Sequence, residues 1–297
     1  MEFSYQLISK SFTKLNQKKI QSILQNSYHK LFIFNLNTIF TNLNANTEKK
    51  NIDNKFDINN ISISDSYMDY NKKVTNILNN LSQDKNNIIC LFSYDSKNIF
   101  NEINLNPINF YFVAEDGLII KPINEINFKN VINIDNNWKS PIKTLFKNFI
   151  NKTGCGNISV KEFSISLKYK DIGKGDFLLG NELKFLVENF LDKKKFDIIL
   201  EKNNLEVKIK EANNFKYNYI NEIIKSDKNI KFIFALNTID KKADEFFDFL
   251  NNKKRCINDN MENINLITAI IGRKNSKAYY YLKDLNDFIN IFDLQKI

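Results

Sequence analysis

The chain has 297 residues, 43 % of them hydrophobic, and 43 Lys and Arg stand against 34 Asp and Glu for a formal charge of +9. That length supports one large domain or two modest ones around a sizeable core, and no stretch approaches the roughly 18 apolar residues of a membrane span. The charge is scattered as single lysines and short runs, with Arg255 and Arg273 the only arginines. It reads as a solvated face and not as a nucleic-acid surface, which leans on arginine for bidentate contacts.

Cys90, Cys155 and Cys256 lack metal-ligand spacing, and His29 is the single histidine, so a zinc site is not expected. Free thiols suit a reducing compartment. Residues 1–30 lack the apolar core of a signal peptide, and the expected location is the cytoplasm.

In chain order, residues 12–29 carry apolar points at helical spacing (Phe12, Leu15, Ile20, Leu24). Residues 30–34 form a short apolar run that predicts a buried parallel strand. Residues 43–66 are Asn-rich and read as a loop. Helical spacing resumes at Val74, Ile77, Leu78 and Leu81, and apolar runs at 88–92 and 110–114 predict two more strands. Strand, helix, strand, helix, strand is the grammar of an α/β sheet. The middle differs. Residues 158–170 alternate, 177–191 are helical by spacing, and 196–200 with 205–209 predict a hairpin. The α/β grammar then returns, with helices at 217–224 and 244–250, strands at 230–236 and 266–271, and a closing helix from Leu285.

In open α/β sheets the chemistry sits beyond the carboxyl ends of the strands. The residues to interrogate are therefore Asn35 to Thr38, Ser93, Lys216 and Asn237 to Asp240. Each also has an ordinary reading. Asn35 and Asn37 suit turns, Ser93 suits a helix cap, and Lys216 suits a solvated surface.

Their order along the chain resembles the haloacid dehalogenase superfamily, and within it the trehalose-6-phosphate phosphatase domains. Leu31-Phe32-Ile33-Phe34-Asn35-Leu36-Asn37-Thr38 is similar to the opening L-F-L-L-D-Y-D-G of that family. Asn87 to Ser93 resembles N-x-V-x-I-I-S-G-R, and Ala114-Glu115-Asp116-Gly117 resembles A-E-[NH]-G. Lys161 to Leu167 resembles the cap signature K-E-x-S-L, and Leu205-Glu206-Val207-Lys208 resembles V-E-V-R. Lys216 falls on the following Lys, Ala243 to Phe247 on D-E-D-M-F, and Gly272-Arg273-Lys274-Asn275-Ser276 on V-G-R-K-x-S. The resemblance implies a haloacid dehalogenase-like Rossmannoid α/β core over residues 1–120 and 211–297, with an inserted α+β cap domain at 121–210.

Residues that carry the family's chemistry are the ones that differ. The nucleophile falls on Asn35, whose amide cannot form an aspartyl-phosphate. The acid/base falls on Asn37, which cannot shuttle a proton. Of the metal-binding G-D-D-x-T-D run, the first Asp falls on Ile239 and the last on Ala243, leaving Asp240; a one-residue slip would bring Asn237 toward the metal instead. The family's sugar-contacting Glu is Ser159 and its S-G-R arginine is Asp95. Ser93 and Lys216 remain as phosphate-binding remnants, Lys161 and Glu206 as sugar or cap remnants. The Mg²⁺ of active members is not expected. The resemblance implies a non-catalytic structural or regulatory subunit in trehalose biosynthesis, partnered by trehalose-6-phosphate synthase or phosphatase subunits, with trehalose 6-phosphate as a further candidate ligand. Nucleic acid and membrane are not expected partners. Two alternatives stay open: an active phosphatase with a divergent site, and a sugar-phosphate sensor without turnover.

Overall fold

The computed structural model describes residues 12–27, 29–40, 61–154, 156–169, 176–256 and 264–292. Residues 43–60 of the Asn-rich stretch and Cys155 lie outside them, and the side chain of Cys256 is not described. The larger sheet holds β1 (Thr13–Lys14), β2 (His29–Asn35), β3 (Asn87–Phe92), β4 (Tyr111–Ala114), β5 (Ile119–Lys121), β6 (Lys129–Asn130), β11 (Ile230–Asn237), β12 (Asn265–Ile271) and β13 (Tyr280–Leu282). Their spatial order is β1-β13-β12-β11-β2-β3-β4-β5-β6. Every pairing from β1 to β4 is parallel; β5 and β6 are antiparallel extensions.

The chain steps from β2 outward through β3 and β4, then returns to the opposite side of β2 and steps outward through β11, β12 and β13. The direction reverses between β2 and β11, so a crevice opens at their carboxyl ends. Both faces of this sheet are covered, which is why its strands read as continuous apolar runs. On one face Phe32, Phe34, Phe232 and Phe234 meet Phe288 and Phe292 of α8 (Leu285–Phe292). The same layer holds α1 (Gln17–Asn26) and α3 (Ile61–Gln83). On the other, Leu31, Ile33, Cys90 and Ala235 meet α6 (Asn218–Ser226) and α7 (Lys241–Cys256).

A second, antiparallel sheet comprises β7 (Asn157–Val160), β8 (Ser164–Lys168), β9 (Phe196–Glu201) and β10 (Asn204–Ile209), in the order β7-β8-β10-β9. One face carries Ile165, Leu167, Leu205 and Val207 against Phe146 of α4 (Lys139–Thr153) and Val187 of α5 (Asp176–Phe190). The alternate residues on the other face, Ser164, Glu206 and Lys208, look into the cleft toward the large sheet. Trp138 packs against both cores, its ring 4.8 Å from that of Phe196.

Several elements differ from the pattern reading. α3 begins at Ile61, inside the stretch read as loop. The alternating run 158–170 is not one strand. It turns at 161–163, where Glu115 captures the N–H groups of Glu162 and Phe163. β5 and β6 carry the large sheet past residue 120, and the second sheet begins only at β7. Among the described residues no helix is long and apolar enough to cross a membrane.

Candidate functional site

The reversal point between β2 and β11 is occupied by amides. Asn35 ends β2 and is 1 % exposed; Asn237 ends β11 and is fully buried. Asn35 Nδ2 donates to Asn237 Oδ1 at 2.9 Å, and Asn237 Nδ2 donates to the Tyr94 hydroxyl at 2.8 Å. Asn237 Oδ1 also accepts the N–H of Thr238 at 2.8 Å. Asn35 Oδ1 is buried without a partner among the described residues. The structure therefore puts Asn237, not Ile239, beside Asn35.

Two residues beyond Asn35, Asn37 sits in the short helix α2 (Leu36–Ile39). Its Nδ2 donates to Asp95 at 3.2 Å, and its Oδ1 accepts from Ser93 Oγ at 3.3 Å. Ser93 Oγ in turn accepts the N–H of Asp95 at 3.0 Å. Lys161, from the β7–β8 turn, donates to the Tyr94 carbonyl at 2.8 Å and pairs with Asp95 at 3.3 Å. Asn35, Asn37, Ser93 and Lys161 thus form one connected network.

The other candidates have separate partners. Lys216 follows a short 3-10 turn and pairs with Glu245 at 3.3 Å. Asp240 caps the start of α7 through the Ala243 N–H at 2.7 Å, and Ala243 is fully buried in the core. Ile239 packs against Gly272, and Glu206 lines the cleft between the sheets. Ser159 is exposed and lines, with Asp95 and Lys161, a wider cleft of about 500 Å³.

Tyr94 and Lys242 escaped the sequence reading. Tyr94 stands where the S-G-R segment has its glycine, and that departure was the available signal. Its ring fills space a glycine leaves open, and burial pushes its hydroxyl far above the ordinary range, so it stays a neutral phenol. The Lys242 ammonium lies 5.3 Å from the centre of that ring and 3.7 Å from Asp116. Burial lowers its pKa, and Asp116, Glu206, Asp240 and Asp95 together more than offset this, so the net shift is upward. Lys242 thus sets a positive charge among the carboxylates at the crevice, in ion-pair contact with Asp116.

Glu115 ties the second sheet to the first. Its carboxylate is 5 % exposed and accepts N–H groups of Glu162 at 2.8 Å and Phe163 at 2.9 Å. Burial raises its pKa against the pull of those two donors. The cleft lined by Tyr94, Glu115, Lys161, Glu206 and Lys216 holds only about 20 Å³, room for a water or so.

The donor set does not suit Mg²⁺, which takes hard, charged oxygens in octahedral array. The oxygens at the strand ends are neutral amides, two of them already accepting hydrogen bonds. Among the described residues no three His, Cys, Asp or Glu side chains cluster as a metal site.

The trehalose-phosphatase family model matches residues 53–286. Among solved structures, the C-terminal domain of a Candida albicans trehalose-6-phosphate phosphatase aligns with a TM-score of 0.67 and 17 % identity, covering 96 % of this chain and 97 % of that one. An Aspergillus fumigatus trehalose-6-phosphate phosphatase gives 0.63 and 17 % over 96 % and 98 %. The C-terminal domain of a Candida albicans trehalose synthase regulatory protein gives 0.65 and 13 % over 95 % and 99 %. No curated protein sequence matches the chain.

Proposed function

This chain belongs to the trehalose-phosphatase family, and from that membership we propose that it is a non-catalytic member, serving as a structural or regulatory subunit in trehalose synthesis. The observation that carries the reading is the buried Asn35–Asn237–Tyr94 chain at the point where the sheet reverses direction. A phosphatase of this kind needs a nucleophile, an acid/base and a charge-neutralising cation acting together. Here the first two positions are amides, and a lysine ammonium, paired with Asp116, stands beside the crevice. Phosphate-monoester hydrolysis is among the slowest uncatalysed reactions, needing accelerations up to about 10²¹-fold, and Ser93 with Lys216 cannot supply that.

A regulatory role draws further support from the fold shared with the trehalose synthase regulatory protein domain. In this role the second sheet with α4 and α5, residues 139–209, serves as a cap over the crevice, a narrower stretch than the expected 121–210. Binding of trehalose 6-phosphate as a sensor is disfavoured because Lys161 and Lys216 are already paired with carboxylates. The test is phosphate release from trehalose 6-phosphate by the purified chain at millimolar Mg²⁺. The expected rate equals that of buffer; turnover that a chelator abolishes would overturn the reading.

A further inference from the structure

The chain crosses between the two sheets twice, through residues 131–138 and 210–217. Two short crossings of this kind form a hinge. The turn between β7 and β8, Lys161 to Phe163, is wedged at that hinge and is bonded to the chain at both crossings. Asn136 Nδ2 donates to Glu162 Oε1 at 3.0 Å, and Lys139 Nζ donates to the Glu162 carbonyl. At the second crossing the Ile209 N–H donates to the Phe163 carbonyl at 3.4 Å.

The large-sheet side grips the same turn with three different chemistries. Glu115 takes the N–H groups of Glu162 and Phe163 on its two carboxylate oxygens. Lys161 reaches the Tyr94 carbonyl at 2.8 Å and pairs with Asp95 at 3.3 Å. The Phe163 ring, 3 % exposed, belongs to the core of the large sheet and not to that of its own sheet, as do Ile209 and Ala212 at the second crossing. Connecting segments ordinarily run over the surface, with water on their polar groups. This turn instead has its backbone donors, its charge and its ring all engaged on the other side of the hinge.

We propose that the 161–163 turn is a hinge lock, which fixes the second sheet over the crevice through contacts internal to the chain. To swing the second sheet away, one movement must separate Lys161 from Asp95, strip two N–H groups from Glu115 and draw the Phe163 ring out of the large-sheet core. These losses fall together, so the hinge has no low-cost partial opening. Lys161 meets a carboxylate of its own chain, so closure does not depend on a bound molecule, and the two sheets act as one body. A partner that touches both sheets finds its surface already formed and loses no hinge freedom on binding. The lock belongs to the fold and holds whether or not the chain is catalytic.

The test uses the full chain and reverses the charges of the pair. Lys161→Glu sets two like charges against each other, and adding Asp95→Lys restores opposite signs. Trp138 is the single tryptophan and stands at the hinge, so its emission reports opening. Small-angle scattering gives the radius of gyration, and hydrogen exchange read by mass spectrometry follows the Glu162 and Phe163 amides. Lys161→Glu should shift Trp138 emission to longer wavelength, enlarge the radius of gyration and speed exchange at 162 and 163 by about tenfold or more. Protection in β2 and β11 should stay as in wild type. The doubly reversed pair should return all three readings most of the way, which a side chain that only packs would not do. Wild type should scatter identically with and without trehalose 6-phosphate. The lock is overturned if Lys161→Glu matches wild type, if the reversed pair fails to restore closure, if β2 and β11 lose protection as well, or if wild type compacts when trehalose 6-phosphate is added. None of these readings measures phosphate release, on which the non-catalytic reading stands.

Discussion

At the scale of the residue, the amide pair Asn35–Asn237 has a consequence for repair. An aspartate at 35 would set a carboxylate oxygen 2.9 Å from an amide oxygen in a fully buried place. Asn237 cannot turn its amide to help, since its Oδ1 also holds the Thr238 N–H. We expect Asn35→Asp with Asn37→Asp to destabilise by about 2–4 kcal/mol and to release no phosphate, as urea denaturation and a phosphate assay would report. Lys242 gives a second expectation. Its folded pKa lies above the ordinary 10.5. The ammonium thus stabilises the fold fully below that value, and the contribution is lost as pH rises through the folded pKa. Lys242→Met should cost roughly 1–2 kcal/mol at pH 7, kept low by partial exposure, and the gap to wild type should close in alkali. The positions of Asn35, Asn37, Ser93 and Lys161 were legible because each falls at a strand end or in a motif. Tyr94 and Lys242 were not, because no spacing rule says where a ring or an ammonium will point.

At the scale of the element, the Glu115–Asp116–Gly117 turn is the most constrained piece of backbone. All three residues have positive φ, at 49°, 61° and 98°. Only glycine adopts the last at little cost, and a Cβ there would stand 3.1 Å from the Tyr219 ring. The turn aims the Glu115 carboxylate at the second sheet. Gly117→Ala should therefore lower stability by roughly 2–3 kcal/mol and speed hydrogen exchange at Glu162 and Phe163, whose N–H groups Glu115 holds. The long buried strands were readable as apolar runs. β5, β6 and β13 were not, since two or three residues carry no period. α4 was overlooked although Ile142, Phe146 and Phe149 stand at helical spacing; a lysine-rich surface and a proline in its first turn masked the stripe.

At the scale of the whole molecule, two sheets are joined by a small number of polar contacts around a cleft with space for little more than a water. Titration with trehalose 6-phosphate should leave the melting temperature unchanged, because a ligand that does not bind the native state cannot stabilise it; a rise would favour the sensor reading, with the wider cleft beside Ser159 as its seat. The doubly wound order of the large sheet followed from the strand–helix alternation, while the closed cleft depended on contacts between distant segments and had no local signature. The Asn35–Asn237–Tyr94 chain also shapes the paths open to this sequence under mutation. Two hydrogen bonds run through the three side chains, so changing any one removes a partner from a buried polar group, and replacing all three passes through less stable intermediates. Neutral drift can alter the surface freely but meets a ratchet at this point, where reversal demands several coordinated steps and the forward state is held by its own hydrogen bonds.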